Sequence, residues 1–151
     1  MDVSINDESL NHISNFLFNM AKQKEGALIV LSKGLDLSGI QETGVEINAN
    51  ISEALLVSIF NKNAPLHDGA AILSNDKVLQ ASCVLPISDN TQLPKWAGLR
   101  HRAAVGISER IDVGAFVVSE ESGKVSFAHQ GQLQTNLNEQ QVKTLLKKYY
   151  E

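Results

Sequence analysis

The chain has 151 residues, of which 43% are hydrophobic and 20% are charged. This composition is typical of a soluble globular domain with a buried core and excludes an intrinsically disordered chain. Thirteen basic and seventeen acidic residues give a net charge of −4, which argues against a broad basic surface for nucleic acid. A local phosphate site is still compatible with that charge.

A single cysteine, Cys83, excludes an internal disulfide framework and a multi-cysteine zinc site. Cys83 lies in an apolar stretch and is predicted to be a small buried hydrophobe in a reducing compartment. Apolar runs such as Ala27–Leu31 are far shorter than the roughly 18 residues that span a bilayer, so we expect no membrane segment in this chain. Acidic residues stand near the N-terminus, where a signal peptide would be basic.

The first half of the chain begins with a helical pattern. Residues 7–24 carry apolar side chains at helical spacing and predict an amphipathic helix, and Ala27–Leu31 predicts a buried strand. The glycines between residues 33 and 50 predict irregular backbone with one short strand at Val45–Ile47. Asn50 followed by Glu53 resembles a capping box and predicts a helix to about residue 60. Its expected core contacts are Ala54, Leu55, Ile59 and Phe60.

The second half is predicted to alternate in the same way. The elements are Ala70–Leu73, Val78–Leu85, a helix over 98–109, Val113–Val118, Val125–Ala128 and a last helix capped by Asn138. Interleaved helices and strands predict an α/β fold with a central mixed β-sheet flanked by helices. No linker divides the chain, so one domain is expected.

Three short segments carry residues suited to chemistry. In the first, His67 and Asp68 stand side by side where a loop meets a strand, and Gly69 allows a ligand or a second backbone to approach closely. Either side chain can bind a metal, and Asp68 can accept a proton from a hydroxyl. The alternative is an ordinary Asp-Gly turn.

The second segment is Arg100-His101-Arg102. The three arginines of this acidic chain all lie between positions 100 and 110. Arginine forks bind phosphate oxygens, and a helix start nearby adds free backbone N–H groups. The alternative is a solvated basic face paired with Glu109 or Glu120.

The third segment, residues 119–123, follows a predicted strand. Glu121 can hold a metal and Ser119 can contact a phosphate or a ribose hydroxyl; the alternative is a hairpin turn with exposed acids. Together the three segments suit a nucleotide held by its phosphates with a divalent ion. The common phosphate-loop and dinucleotide fingerprints are absent from the sequence. His12 and His129 have no obvious partner and are interpreted as surface residues, while Trp96 can stack on a base or pack beside Pro94.

Asp68-Gly69-Ala70, followed about thirty residues later by Arg100-His101-Arg102, resembles the paired signature of the diadenylate cyclase (DAC) domain. The segments 26–30, 64–70, 100–109 and 117–121 resemble the family in the same order and spacing. The similarity covers roughly residues 26–133. We therefore interpret residues 1–151 as a single domain of this kind.

The resemblance implies an enzyme that joins two ATP molecules into cyclic di-AMP and releases two pyrophosphates, assisted by Mg²⁺ or Mn²⁺. It implies that each protomer binds one ATP and that two protomers meet face to face in a homodimer, which need form only transiently. The 3′-hydroxyl of each ATP then attacks the α-phosphate of the other. Many relatives attach the domain to membrane helices, so we expect a cytoplasmic protein or the cytosolic domain of an anchored one.

The resemblance also implies roles for individual residues. Asp68 is expected to orient or deprotonate the 3′-hydroxyl and, with His67 and Glu121, to bind the metal. The Arg100-His101-Arg102 triplet is expected to bind the phosphates. The expected nucleotide contacts are Gly69, Ala70, Leu85, Leu99, Arg100, Ser119 and Glu121, with Leu85 packed on the adenine.

Two positions depart from the family pattern. Leu99 stands where relatives often have Thr, and Val84 where many have Tyr, so a hydroxyl and an aromatic ring near the nucleotide are missing. A catalytically silent module that senses a nucleotide or docks onto a protein is therefore the main alternative. A metal-dependent phosphohydrolase and plain structural packing are the others.

Overall fold

The computed structural model describes residues 7–150, which form five helices and seven strands. The helices are α1 (Asp7–Gln23), α2 (Ser38–Gln41), α3 (Glu53–Phe60), α4 (Leu99–Arg110) and α5 (Glu139–Tyr149). The strands are β1 (Ala27–Leu31), β2 (Val45–Asn50), β3 (Ala70–Ser74), β4 (Lys77–Cys83), β5 (Gly114–Val118), β6 (Val125–His129) and β7 (Gln132–Gln134).

All seven strands form one sheet in the order β2-β4-β3-β1-β5-β6-β7. The central strands β1 and β3 run parallel, with Ile29 opposite Ala71, and every other neighbouring pair is antiparallel. The expected α/β fold with a central mixed sheet flanked by helices is confirmed.

The central strands are apolar throughout because both faces of the sheet are covered. On β1, Ala27, Ile29 and Leu31 belong to one core with α1, α3 and α5, whereas Leu28 and Val30 belong to a second core with α4. Cys83 is fully buried in that second core, and burial raises the pKa of its thiol to about 11. It is therefore a buried hydrophobe, as predicted.

Residues 33–60 differ from expectation in several respects. The segment after residue 33 contains the short helix α2, and β2 extends to Asn50, so Asn50 is a strand residue and not a helix cap. Ser52 caps α3 instead, because its hydroxyl accepts the N–H of Leu55 at 3.1 Å. Ala54 is exposed, and Leu56 takes the core position. The strand β7 had no counterpart among the predicted elements.

Two histidines predicted to lack partners have them. His12 Nδ1 accepts the backbone N–H of Glu53 at 3.0 Å, so α1 caps the first turn of α3. His129 Nε2 lies 2.8 Å from Asp112 Oδ1, and its ring packs on Tyr149 with centroids 4.4 Å apart. Both contacts cross between elements distant in sequence, which a local pattern does not encode. Within residues 7–150, no helix has the length and apolarity needed to span a bilayer.

The segment between β4 and α4 is hydrogen-bonded to α4. The N–H of Ser88 donates to the Arg102 carbonyl at 2.9 Å, and the Ser88 hydroxyl donates to Glu109 at 2.9 Å. Gly106 makes this approach possible, because a Cβ there would collide with the Pro86 carbonyl and lie 2.9 Å from the Ser88 nitrogen. The glycine in the middle of the helix is therefore a packing requirement.

Gly106→Ala should test this packing. Alanine favours a helix by roughly 0.5–1 kcal/mol over glycine, but a clash with backbone cannot be relieved by a rotamer change and typically costs about 1–3 kcal/mol. We expect a net loss of stability and a lower melting temperature. Gly39→Ala is the matched control, because its Cβ would meet no atom within 4 Å. Equal melting temperatures for the two variants would contradict the assigned role of Gly106.

Candidate functional site

A cleft of about 950 Å³ opens at one edge of the sheet. Since β1 and β3 are parallel and their neighbours β5 and β4 run the other way, the starts of β1 and β3 meet the ends of β4 and β5 at this edge. The N-terminus of α4 closes the same side. The volume of the cleft lies within the range of small-molecule sites in proteins, about 300–1,000 Å³.

The N-terminus of α4 borders this cleft with groups that can attract anions. The first hydrogen bond of the helix runs from the N–H of Arg102 to the Gly98 carbonyl at 3.0 Å, so the preceding amides of the first turn point out of the helix. The positive end of a 12-residue helix dipole lies at the same place. Leu99, Arg100 and His101 of this turn all line the cleft.

His101 is buried, with 4% of its surface exposed. Its Nδ1 accepts the N–H of Gly98 at 3.3 Å, so in the neutral ring the proton is on Nε2. That Nε2 is buried without a hydrogen-bond partner, and the edge-on ring of Trp96 lies 5.2 Å away between centroids. Burial, and then the charge of Arg100, lower the pKa of His101, which favours a neutral ring with one unused N–H donor.

The Arg100 side chain lines the cleft and reaches the start of β1. Its guanidinium lies so close over Gly26 that a Cβ at that position would overlap it. On its other side Arg100 Nη1 is 3.7 Å from Glu120 Oε1. Of the two carboxylates considered as partners for the basic triplet, Glu120 is thus the one that pairs with Arg100, whereas Glu109 accepts from Ser88.

His67 and Asp68 lie at the mouth of the cleft. His67 Nδ1 is 2.8 Å from the Ala64 carbonyl, which can only accept, so Nδ1 carries the proton. His67 Nε2 then faces Asp68 Oδ1 at 3.3 Å, and the Asp68 side chain is 82% exposed. These two atoms are close enough together for both to coordinate one cation.

Ser119 terminates β5 and folds the turn after it. Its hydroxyl oxygen accepts the N–H of Glu121 at 3.3 Å and of Ser122 at 3.2 Å, which occupies its acceptor capacity. The O–H remains as a donor, and Ser119 is part of the cleft lining. The hairpin-turn interpretation of residues 119–123 is therefore correct locally, and the turn also borders the cleft.

Gly69 permits the approach of a second backbone. Its φ is +82°, and a Cβ there would lie 2.5 Å from the Cys83 carbonyl oxygen. The close neighbour is therefore β4, which brings Leu85 to the cleft.

The structure gathers most of the predicted site residues around this cleft. Its lining includes His67, Asp68, Gly69, Leu85, Leu99, Arg100, His101, Ser119 and Glu121. Two of the predicted site residues do not line the cleft. Ala70 is fully buried in the core that contains α4, and Arg102 donates from Nη1 to the Asn90 carbonyl at 3.2 Å.

The predicted metal ligands are not gathered into one group. Among residues 7–150, no three His, Cys, Asp or Glu side chains are close enough together to hold an ion. His67 and Asp68 are adjacent, whereas Glu121 is an exposed residue of the turn after β5. The protein itself therefore presents a two-residue donor pair.

Sequence reasoning missed other parts of the lining. Gly26 was not among the predicted site residues, yet it makes room for Arg100. Trp96 packs edge-on against His101 and is 47% exposed in the cleft. The sequence signals were a glycine directly before a predicted strand, Gly26, and a tryptophan two residues after a proline, Trp96. Neither signal indicates that the neighbour is Arg100 or His101.

A mixed sheet, the N-terminus of α4 and the His67–Asp68 pair thus meet at one edge of an α/β domain, an arrangement compatible with binding a nucleotide. The chain belongs to the DAC family, described as the DisA bacterial checkpoint controller nucleotide-binding family, whose model matches residues 15–133. The resemblance identified from the sequence motifs is confirmed.

Similar proteins are known from several bacteria. The chain is 42% identical to the cyclic di-AMP synthase CdaA of Bacillus subtilis (strain 168), covering 92% of this chain and 51% of that protein. It is 43% identical to a diadenylate cyclase of Listeria monocytogenes serotype 1/2a (strain 10403S), covering 85% and 47%. The chain thus spans about half the length of these relatives.

Solved structures agree with the fold. A crystal structure of a DacA double mutant from Staphylococcus aureus superposes with a TM-score of 0.93 at 40% identity, covering 95% of this chain and 96% of that one. A hypothetical membrane spanning protein from Bacillus cereus gives a TM-score of 0.82 at 40% identity, covering 87% and 64%.

His101 predicts a pH dependence of stability. Because its pKa in the folded state is below the ordinary 6.5, its contribution is fully present above that pH and is lost as the pH falls below it. His101→Gln keeps an acceptor for the Gly98 N–H and does not titrate. In urea unfolding between about pH 5 and pH 8, wild type should therefore lose stability relative to this variant on acidification. A difference that stays constant across the range would contradict the assignment.

Proposed function

We propose that this domain is a diadenylate cyclase, which condenses two ATP into cyclic di-AMP and two pyrophosphates. The observation that carries the proposal is one cleft that joins an anion site at the start of α4 to the His67–Asp68 pair. The relatives whose names state this activity share 42–43% of their aligned residues with the chain. The activity assigned here is that of the domain, since the relatives are about twice as long.

The proposed placement of ATP follows from the charges and polar groups of the lining. The phosphates lie against the first turn of α4 and Arg100, where N–H groups and a guanidinium converge. The base and ribose then lie toward the ends of β4 and β5, where Leu85 offers an apolar contact. There the Ser119 O–H is free to donate to an oxygen or ring nitrogen.

A divalent ion fits the donor pair near these phosphates. The 3.3 Å between His67 Nε2 and Asp68 Oδ1 is close to the roughly 3 Å that separates adjacent ligands of an octahedral ion. A metal-binding histidine typically donates its other N–H to a backbone carbonyl, as His67 does to Ala64. Mg²⁺ and Mn²⁺ commonly complete their shells with water and substrate phosphates, so two protein ligands suffice. When bound, the ion supplies charge that stabilises the leaving pyrophosphate.

Asp68 is the proposed catalytic residue. Its exposed carboxylate can accept the proton of a ribose 3′-hydroxyl whose oxygen forms the new bond to an α-phosphorus while the bond to pyrophosphate breaks. Arg100 then offsets charge that develops on the phosphates, and His101 would add its N–H only if a movement exposed the buried Nε2. The nucleophile belongs to the substrate, so the protein acts by positioning and charge stabilisation.

A face-to-face homodimer is part of the proposal. Each ATP acts both as nucleophile and as electrophile, so two identical sites must face each other across a two-fold axis. Four exposed large apolar side chains of the described chain line the cleft: Val84, Ile87, Trp96 and Leu99. A second protomer or a base would cover such an exposed apolar rim.

Roles for Arg102, Ala70 and Glu121 are also part of the proposal, but each needs a further condition. Phosphate binding by Arg102 and nucleotide contact by Ala70 would require a partner protomer or a movement, since neither residue lines the cleft. Metal contact by Glu121 would likewise need the turn after β5 to approach His67. We further propose that residues 1–151 form one domain, which is either cytoplasmic by itself or the cytosolic domain of a membrane-anchored protein. The similar protein from Bacillus cereus, described as membrane spanning, is consistent with the second alternative.

The direct test is to incubate the purified chain with ATP and either Mg²⁺ or Mn²⁺ and identify the products by chromatography and mass spectrometry. Cyclic di-AMP with pyrophosphate is expected. ADP or AMP would indicate a phosphohydrolase instead, and ATP binding without product at any protein concentration would indicate a silent sensor.

Asp68→Asn should lower the rate of cyclic di-AMP formation by about 10²- to 10³-fold, the usual cost of removing one essential polar group. The fold should be unchanged because the side chain is 82% exposed. Asp89→Asn is the matched control, since Asp89 is exposed and lies off the cleft. Undiminished synthesis by Asp68→Asn would refute its catalytic role.

The dimer predicts that specific activity rises with enzyme concentration. Activity per mole of protein should increase as the two sites associate and level off once the dimer saturates. Sedimentation velocity under the same conditions gives the oligomeric state. A specific activity that is flat where the protein is monomeric would contradict face-to-face catalysis.

A further inference from the structure

Glu120 lies opposite the cation that the proposed phosphate site depends on. Its Oε1 is 3.7 Å from Arg100 Nη1, and the two side chains are 65% and 25% exposed. Both residues line the cleft. The Glu120 carboxylate and an anionic ligand of Arg100 would therefore compete for the same guanidinium.

The two partners differ in how freely they can move. Arg100 is held over Gly26 at the start of β1. Glu120 projects from a turn whose backbone is fixed by the bond from the Gly123 N–H to the Ser119 carbonyl at 2.9 Å, and its own side chain is largely exposed. The pair can therefore open by rotation of the Glu120 side chain while the guanidinium stays in place.

We propose that Glu120 is a displaceable stand-in for a substrate phosphate: its carboxylate pairs with Arg100 and is displaced when a polyphosphate binds. This inference rests on the proposed function, because it takes the phosphates of ATP as the competing anion. By occupying the guanidinium, Glu120 lowers the affinity of the cleft for the nucleotide. It is a specificity-determining residue, since only a ligand with several negative charges gains more from Arg100 than the carboxylate it replaces.

Removal of the carboxylate should tighten nucleotide binding. An exposed ion pair is weak, and a like charge near the phosphates adds a modest repulsion. We expect Glu120→Gln to lower the dissociation constant for ATP by about three- to tenfold at low ionic strength. The gain should fall as salt is raised and should be absent with adenosine, which carries no phosphate.

The measurement is isothermal titration of ATP into the protein in EDTA, so that neither turnover nor metal binding contributes. Glu25→Gln is the matched control, because it removes one negative charge from the same lining without a partner among the ion pairs of the described residues. Arg100→Gln and the Arg100→Gln/Glu120→Gln double variant complete a cycle. If Glu120 acts through Arg100, its removal should change the affinity far less in the Arg100→Gln background.

The possible outcomes separate the two proposals. Weaker ATP binding by Glu120→Gln would show that the carboxylate positions Arg100 for the ligand. Equal gains in affinity from Glu25→Gln and Glu120→Gln would show that the effect is one of net charge. Either result overturns the stand-in role of Glu120 but leaves the proposed binding of ATP intact. If the wild type neither binds ATP nor forms cyclic di-AMP with metal, the proposed function fails and this inference fails with it.

Discussion

The parallel pairing of β1 with β3, inside a sheet that is otherwise antiparallel, decides where this chain can bind a ligand. Because β4 and β5 flank that pair in the opposite direction, two strand starts and two strand ends meet at one edge. Gly26, Gly69, Leu85 and Ser119 come together there from distant parts of the sequence. The core on both faces holds the four strands in register, so the edge is a rigid frame for the cleft.

Close backbone approaches then set the shape of that cleft. Gly26 leaves room for the Arg100 guanidinium, Gly69 for the end of β4, and Gly106 for the segment that carries the outer wall. Each glycine gives up conformational entropy, and each allows an approach that a methyl group would block. With a side chain at these positions, Arg100 and the apolar residue Leu85 could not take their present places in the cleft lining.

Folding also leaves polar groups with unused hydrogen-bonding capacity at this edge. The His101 Nε2–H has no partner among the described residues, and the Ser119 hydroxyl has its acceptor positions occupied. Buried polar groups are rarely left unsatisfied, and where they are, a ligand or catalytic role is a common explanation. The more exposed pair of His67 and Asp68 at the same edge adds two donor atoms that can coordinate a cation. These local imbalances support an anionic nucleotide with a divalent ion.

The sequence by itself determined most of the elements, though not α2 or β7, and the residues suited to chemistry. Helical and strand periodicity located α1, β1, α4 and α5, and the two triplets at Asp68 and Arg100 identified the family, because these signals are local. The tertiary structure alone decided the contacts between distant segments: His12 on α3, Arg100 over Gly26, and Arg102 turned to Asn90. Ser52 displaced Asn50 as the cap because the ladder of β2 with β4 extends to Asn50. Strand pairing and side-chain direction depend on neighbours far along the chain, so residue spacing could nominate the site but could not assign its partners.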